Sequence, residues 1–217
     1  MGNAAWFWGR MSARYARTAI ANEAAYQQKL ATTREYLADA AEVFEFGCGT
    51  GSTAIAHAPY AGRILAIDAA PEMIDIARGK AAGASLDTVD FQVGDIADFD
   101  LGGRAFDMVL GLNILHLLDD WRGAIDRACA LLKPGGVFVS STACLAEGPT
   151  AFRVIAPLMR ALPLLPSVQV LSEGELVEVM QQAGFGIEHR WRPSRAEAVF
   201  LVARKQGLST DSTAGAQ

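Results

Sequence analysis

Hydrophobic and polar positions along the chain change abruptly at one place, where a short apolar run gives way to glycines. Residues 43–46, Val-Phe-Glu-Phe, have the length and character of a buried strand. Gly47, Gly49 and Gly51 follow at alternate positions, and an alanine-rich helical stretch begins after them. Because glycine adopts positive φ without a Cβ clash, this pattern predicts a strand, a tight turn that a ligand can approach closely, and a helix.

The rest of the chain repeats such patterns. Apolar runs predict further strands at 63–68, 90–93, 106–111 and 137–141. Helical spacing predicts three helices: one begins near residue 72, and the others span 121–132 and 172–184. Two more strands, 185–192 and 198–204, are close enough in sequence to form a hairpin. The N-terminal stretch 5–38 has a pattern that favours helices over strands, and the aromatic residues Trp6 and Trp8 are expected to pack on the core.

The glycine spacing distinguishes between the known classes of nucleotide-binding loop. A dinucleotide fingerprint has the order G-x-G-x-x-G, but here the third glycine comes one residue early and Ser52 stands in its place. A phosphate-binding P-loop needs Gly-Lys-Ser/Thr at the end of the turn, and this chain has none there. The spacing therefore argues against both NAD and a nucleoside triphosphate.

The order Glu45-x-Gly47-x-Gly49-x-Gly51 instead resembles motif I of the class I S-adenosylmethionine (SAM)-dependent methyltransferases. In that family the glycine backbone, here with Cys48 inside the loop, lies beside the methionine and ribose parts of SAM. The acidic residue matched by Glu45 lies near the cationic methionine end. The resemblance covers residues 43–204 and implies a Rossmann-like α/β fold, with a seven-stranded mostly parallel sheet, a C-terminal antiparallel hairpin and helices on both faces.

An acidic residue ends the second predicted strand. Asp68 lies about twenty residues beyond the first glycine, where doubly wound nucleotide-binding folds place the carboxylate that binds ribose hydroxyls. The alternative is a helix N-cap, but Pro71 suggests a cap later than Asp68. Ala69 beside it is assigned to the same cofactor site. Met73 matches the family position that packs on the adenine, and it also suits a core methionine.

Gly94, Asp95 and Ile96 follow the third strand. They resemble the family segment in which an Asp accepts a hydrogen bond from the adenine amino group and the next backbone amide meets a ring nitrogen. The alternative for Asp95 is a solvated turn aspartate. Gly111 and Leu112 end the fourth strand in a region that resembles motif IV, where backbone groups hold the methionine part, and Gly111 is expected to open the backbone into the cleft.

His116 lies just beyond that region, with Asp119 after it, and is the candidate base for an acceptor hydroxyl or amine. A packing role for this histidine is the alternative. Tyr15, within Arg-Tyr-Ala, resembles a Tyr of ubiquinone/menaquinone-biosynthesis-type methyltransferases that covers the methionine end of SAM. The apolar segment 150–171, which holds three prolines, is interpreted as a lid over the acceptor, with a dimer surface or a peripheral membrane contact as alternatives.

Composition limits the kinds of partner that the protein is expected to bind. The net charge of -5 and pI of about 5.2 argue against a nucleic-acid surface and favour a small-molecule acceptor. Three separated cysteines lack metal-ligand spacing and predict reduced thiols in the cytoplasm. No apolar run has the length of a membrane span. We expect one domain over 1–205, with an N-terminal helical cap over 1–40 and a disordered tail over 206–217, as a monomer or homodimer.

The function implied by the resemblance is methyl transfer from SAM to a small, partly apolar organic acceptor, releasing S-adenosylhomocysteine. No metal is expected. Two alternatives stay open at this point: a non-catalytic SAM-binding protein, and a nicotinamide-dependent Rossmann enzyme.

Overall fold

A seven-stranded sheet forms the centre of the protein. The computed structural model describes residues 3–18, 20–147 and 168–207. The strands are β1 (Glu42–Phe46), β2 (Arg63–Asp68), β3 (Val89–Val93), β4 (Phe106–Leu112), β5 (Leu132–Thr142), β6 (Phe185–Trp191) and β7 (Val199–Lys205), in the spatial order β3-β2-β1-β4-β5-β7-β6. β1 to β5 run parallel, and β7 pairs antiparallel with both β5 and β6. The fold predicted from the resemblance is confirmed.

Helices cover both faces of this sheet. They are α1 (Asn3–Tyr15), α2 (Glu23–Arg34), α3 (Ser52–His57), α4 (Pro71–Gly83), α5 (Trp121–Leu131) and α6 (Glu173–Gln182). Successive side chains of a strand point to opposite faces, so in β1 Phe44 and Phe46 pack with α5 and α6, whereas Val43 packs with α3 and α4. The site therefore stands on a sheet that is buried on both sides.

The order of the strands determines where a ligand can bind. β1 lies between β2 and β4, so the chain leaves β1 towards one edge of the sheet and later returns to its other side. In open parallel sheets this reversal opens a crevice at the carboxyl ends of the strands. The glycine loop after β1 and the loop after β4 border that crevice.

The structure changes two of the predictions. β5 begins at Leu132 and not at Val137, because Leu132 pairs with Phe106 across a register shift before the regular pairing starts at Val137. Trp6 is 49% exposed, with the Arg10 guanidinium 5.2 Å from its ring centre, so the expectation that it packs on the core is wrong.

Most of the segment 150–171 and nearly all of the tail 206–217 lie outside the described residues. The lid and the disordered tail therefore stay predictions. Within the described ranges, none of the helices combines the length and the apolar character that crossing a membrane requires.

Candidate functional site

The glycine loop after β1 is held in a left-handed conformation by its three glycines. Their φ angles are +63° at Gly47, +54° at Gly49 and +74° at Gly51. A Cβ on Gly47 would lie 2.5 Å from the Ile114 side chain, and one on Gly51 would lie 2.6 Å from the Phe91 ring. A Cβ on Gly49 would meet only the Tyr15 ring, at 3.8 Å. Packing thus requires the outer glycines, whereas Gly49 presents bare backbone to the crevice.

Asp68 joins the end of β2 to this loop. One carboxylate oxygen accepts a hydrogen bond from Gly49 N at 2.8 Å, and the other accepts one from Ala70 N at 2.9 Å. Burial raises the pKa of this carboxyl, against the effect of these two hydrogen bonds. The N-cap of α4 is Ala70, which provides no side-chain bond, so Asp68 does not cap the helix. Each oxygen keeps a further lone pair that can accept from a ligand.

Glu45 lies buried beneath the loop, with 2% of its surface exposed. The Glu45 carboxyl accepts a hydrogen bond from the backbone N–H of Ala54. Among the described residues, Oε2 of Glu45 has no hydrogen-bond partner. Burial, with the nearby Asp68 carboxylate as the second cause, raises the pKa of Glu45 to about 8. Cys48 is also buried in this loop, and burial raises the pKa of its thiol.

Two tyrosines of the N-terminal helices approach the same acidic pair. Tyr15 is half-exposed at the end of α1, and its ring meets Trp8 edge-on with 6.2 Å between centroids. Burial, then the charges of Asp68 and Glu45, raise the pKa of Tyr15. Tyr26 of α2 hydrogen-bonds to Thr53, and its pKa is raised by burial and by Glu45. Sequence reasoning missed Tyr26, since no motif surrounds it.

The end of β3 provides the next part of the crevice. Gly94 N donates to Asp68 O at 3.0 Å, which holds the two strand ends together. Asp95 accepts from Ala97 N at 3.0 Å through Oδ1, the geometry of an aspartate turn. Ile96 is buried in the core. Val93, which sequence reasoning also missed, is 44% exposed and pairs in register with Asp68.

Three other residues predicted for the cofactor site lie at strand or helix ends. Met73 is buried in the first turn of α4, Ala69 is partly buried after β2, and Leu112 is partly buried at the end of β4. Gly111 has a packing reason to be glycine. A Cβ there would lie 2.5 Å from the Phe46 ring, so core packing requires a glycine, and the opening of its backbone into the cleft stays a prediction.

A polar cluster that the sequence did not reveal lies at the ends of β4 and β5. Lys29 of α2 donates from Nζ to Ser141 Oγ at 2.9 Å, and Ser141 Oγ donates to Asn113 Oδ1 at 3.2 Å. Asn113 N also donates to Ser141 O at 2.7 Å, and Asn113 has a left-handed φ of +56°. Burial lowers the pKa of Lys29, although Glu197 opposes this effect.

His116 lies in the turn after β4. Its backbone carbonyl accepts a hydrogen bond from Gln169 N at 2.8 Å, and its Nδ1 is buried without a partner among the described residues. Burial lowers the pKa of His116 to about 4. The imidazole is therefore neutral at pH 7, as a base must be, but a pKa this low makes it a weak one.

Comparison with known families agrees with this geometry. Residues 43–136 match the family described as "Methyltransferase domain". The match begins in β1, covers the glycine loop, Asp68 and the region of β4, and ends within β5.

Two sequence relatives of this chain are named as methyltransferases. A probable S-adenosylmethionine-dependent methyltransferase of Mycolicibacterium smegmatis is 30% identical over 148 residues, which cover 68% of this chain and 52% of the relative. A ubiquinone biosynthesis O-methyltransferase of Xanthomonas campestris is 39% identical over 114 residues, which cover 52% of this chain and 46% of the relative. The chain thus spans about half the length of these relatives.

A solved structure shares the fold of this chain. The YcgJ protein of Bacillus subtilis superposes with a TM-score of 0.70 at 18% identity, over 83% of this chain and 99% of that one. At this identity the similarity concerns the fold alone.

Proposed function

We propose that this chain is a SAM-dependent methyltransferase, which transfers a methyl group from SAM to a small organic acceptor and releases S-adenosylhomocysteine. The match of residues 43–136 to the methyltransferase domain and the similarity to the relative from Mycolicibacterium smegmatis support this proposal. The observation that carries the proposal is the geometry of Gly49 and Asp68. Bare loop backbone and a carboxylate with spare lone pairs lie side by side at the mouth of the crevice.

The residues present fit SAM as the cofactor. Its methionine end carries positive charge, and the buried Oε2 of Glu45 is an acceptor without a partner among the described residues. Its ribose offers two hydroxyls, which suit the Asp68 carboxylate. Its adenine is flat and apolar, with a polar edge, which suits exposed Val93 beside Asp95. The glycines and Tyr15 complete a cofactor site that also includes Cys48, Ala69, Met73, Gly94, Ile96, Gly111 and Leu112.

The protein has mainly to bind SAM and the acceptor, to align them and to exclude water from the methyl group. Bound SAM supplies a methyl group that its sulfonium already activates. The loop and Asp68 would fix the position of the cofactor, and Tyr15 would cover the methionine end against water. Its pKa of about 8 leaves Glu45 mostly protonated at pH 7 without a ligand, so the positive charge of bound SAM would first favour ionisation of this carboxyl. The carboxylate would then neutralise the cationic end from below. No nucleophilic residue is needed for such a transfer.

The acceptor would enter over the ends of β4 and β5. Partly buried Ile114 and Leu118 offer apolar surface there, which supports a partly apolar acceptor. We place the segment 150–171 over it as a lid. His116 would accept a proton only if the acceptor must lose one. The test of that role is the pH profile of kcat with any acceptor that is turned over, in which a limb near pH 4 should disappear in His116→Gln.

Cytoplasmic location and a monomeric or homodimeric state remain part of this proposal. Three free thiols, at Cys48, Cys129 and Cys144, support the location, because disulfides are rare in that compartment.

Calorimetry with SAM, S-adenosylhomocysteine and NAD tests the cofactor. We expect the wild type to bind the first two and not NAD, and Asp68→Ala to weaken binding by about 10- to 100-fold through loss of charge-assisted hydrogen bonds. Asp87→Ala, which removes an exposed carboxylate from the loop before β3, is the control and should bind as the wild type does. Folded wild type that binds NAD, or neither SAM nor its product, would contradict the proposal.

A further inference from the structure

Lys29 is a cation at the acceptor end that has unused hydrogen-bonding capacity. An ammonium group has three N–H donors, and the Ser141 hydroxyl uses one of them. In the ranges 3–18, 20–147 and 168–207 no carboxylate oxygen lies within 4.0 Å of the Lys29 ammonium. Lys133 shows the contrast, since it pairs with Asp107 at 2.8 Å. Lys205 likewise donates to two backbone carbonyls at the end of α5.

The position of Lys29 is fixed by three separate elements. It extends from α2 to Ser141 at the end of β5, and Ser141 bonds in turn to Asn113 just after β4. Asn113 is held by its own backbone bond to Ser141 and by a left-handed conformation that asparagine tolerates better than most residues. The ammonium is therefore oriented by the fold and not merely present on a surface.

This cluster borders the cofactor site without being part of it. Ile114, the residue after Asn113, lies against Gly47 of the glycine loop. Tyr26, one turn before Lys29 on α2, is close enough to Glu45 for that carboxylate to raise its pKa. The carboxylate that affects the Lys29 pKa is instead Glu197. Lys29 thus lies beyond the acidic pair, on the side of the crevice formed by β4 and β5.

We propose that Lys29, positioned by Ser141 and Asn113, binds a carboxylate of the methyl acceptor, so that the acceptor is an organic acid. The inference rests on the proposed function and adds a substrate class to it. A singly charged carboxylate matches one ammonium with two unused donors. A phosphate monoester carries closer to two charges and is typically bound by arginines or several cations, which this cluster does not contain.

Lysine NMR tests the proposal without turnover. The chain has only four lysines, at 29, 80, 133 and 205, so their side-chain signals can be assigned by substitution. Benzoate and benzamide are added separately to protein saturated with S-adenosylhomocysteine. Benzoate should shift the Lys29 signal and should bind at least about tenfold more tightly than benzamide, because only benzoate can form a charge-assisted hydrogen bond with the ammonium.

Three variants sharpen this measurement. Lys29→Met should remove the preference for benzoate, and Lys29→Arg should retain a measurable part of it because the charge remains. Lys133→Met, which removes a lysine at the opposite end of the sheet, should leave the preference unchanged. Equal binding of benzoate and benzamide by the wild type would overturn the proposal, as would a preference that survives in folded Lys29→Met.

Product binding by the same samples separates this proposal from the one on which it rests. We expect Lys29→Met to bind S-adenosylhomocysteine as the wild type does. If that affinity falls as far as the benzoate affinity, Lys29 binds the carboxylate of the cofactor and the acceptor proposal is wrong. If the wild type binds no S-adenosylhomocysteine, the proposed function fails, whereas benzoate binding to the ligand-free protein still decides whether Lys29 binds carboxylates.

Discussion

The two ends of the crevice are built from different kinds of residues. At the cofactor end, Gly49 and Asp68 belong to one continuous β1-α3-β2 unit and lie 19 residues apart. At the acceptor end, Lys29 and Ser141 are 112 residues apart, and Asn113 comes from a third segment. The first end is acidic and closely packed, and the second is cationic and partly open. A local unit holds the part of the site predicted for the cofactor, while long-range packing assembles the part where the acceptor is expected.

An alanine substitution at each end should show the difference in packing: it adds a Cβ at Gly51 and removes an amide at Asn113. Gly51→Ala combines a left-handed φ with a Cβ 2.6 Å from Phe91 and 2.8 Å from Ala77, so we expect a loss of about 4 kcal/mol in the free energy of unfolding. Asn113→Ala has a similar φ but lies exposed, and should cost about 1 kcal/mol. Urea denaturation measures both.

Equal losses in these two variants would show that the cofactor loop is no more tightly packed than the acceptor end. Gly49→Ala is the matched control within the loop. It introduces similar backbone strain without a close contact, so its loss should lie between the other two.

Raising the pH should destabilise the cofactor end through Glu45. Its pKa is about 8 in the folded protein and about 4.5 when unfolded, so no penalty exists below pH 4.5, and the penalty grows as pH rises towards 8. Compared with Glu45→Gln, the wild type should lose about 4 kcal/mol of stability across this window. Denaturation of both proteins at several pH values measures the difference, and parallel curves would contradict the burial of an unpaired carboxyl.

Lowering the pH should destabilise the acceptor end through His116. Its folded pKa of about 4 lies below the unfolded value of 6.5, so its contribution is fully present above pH 6.5 and is lost as the pH falls towards 4. We expect the wild type to lose about 2 kcal/mol more than His116→Gln over this range. The same denaturation series measures it. A difference that is constant with pH would show that the imidazole is hydrated and not buried.

Sequence reasoning succeeded where neighbouring residues determine the structure. The individual strands, the hairpin and the strand ending at Asp68 follow from local patterns, because each strand carries its own apolar run and its own turn signal. The arrangement of these strands in one mostly parallel sheet was implied by the family resemblance. The Lys29 cluster could not be predicted, since an isolated lysine on a polar helix looks like any solvated residue. The packing of Gly111 against Phe46, 65 positions earlier, could not be predicted either, because such a contact leaves no sequence signal.

An ion-pair cluster joins the chain shortly after β5 to the start of α6. The Arg192 guanidinium pairs with Glu147 and Glu173, and Glu173 N also donates to Glu147 at 3.0 Å. The two ends of the intervening segment are therefore fastened together on the last hairpin. Lengthening a chain segment whose ends are fixed costs little, about 0.6 kcal/mol for each doubling. We therefore expect that residues can be inserted or exchanged between Glu147 and Glu173 with little effect on the stability of the sheet.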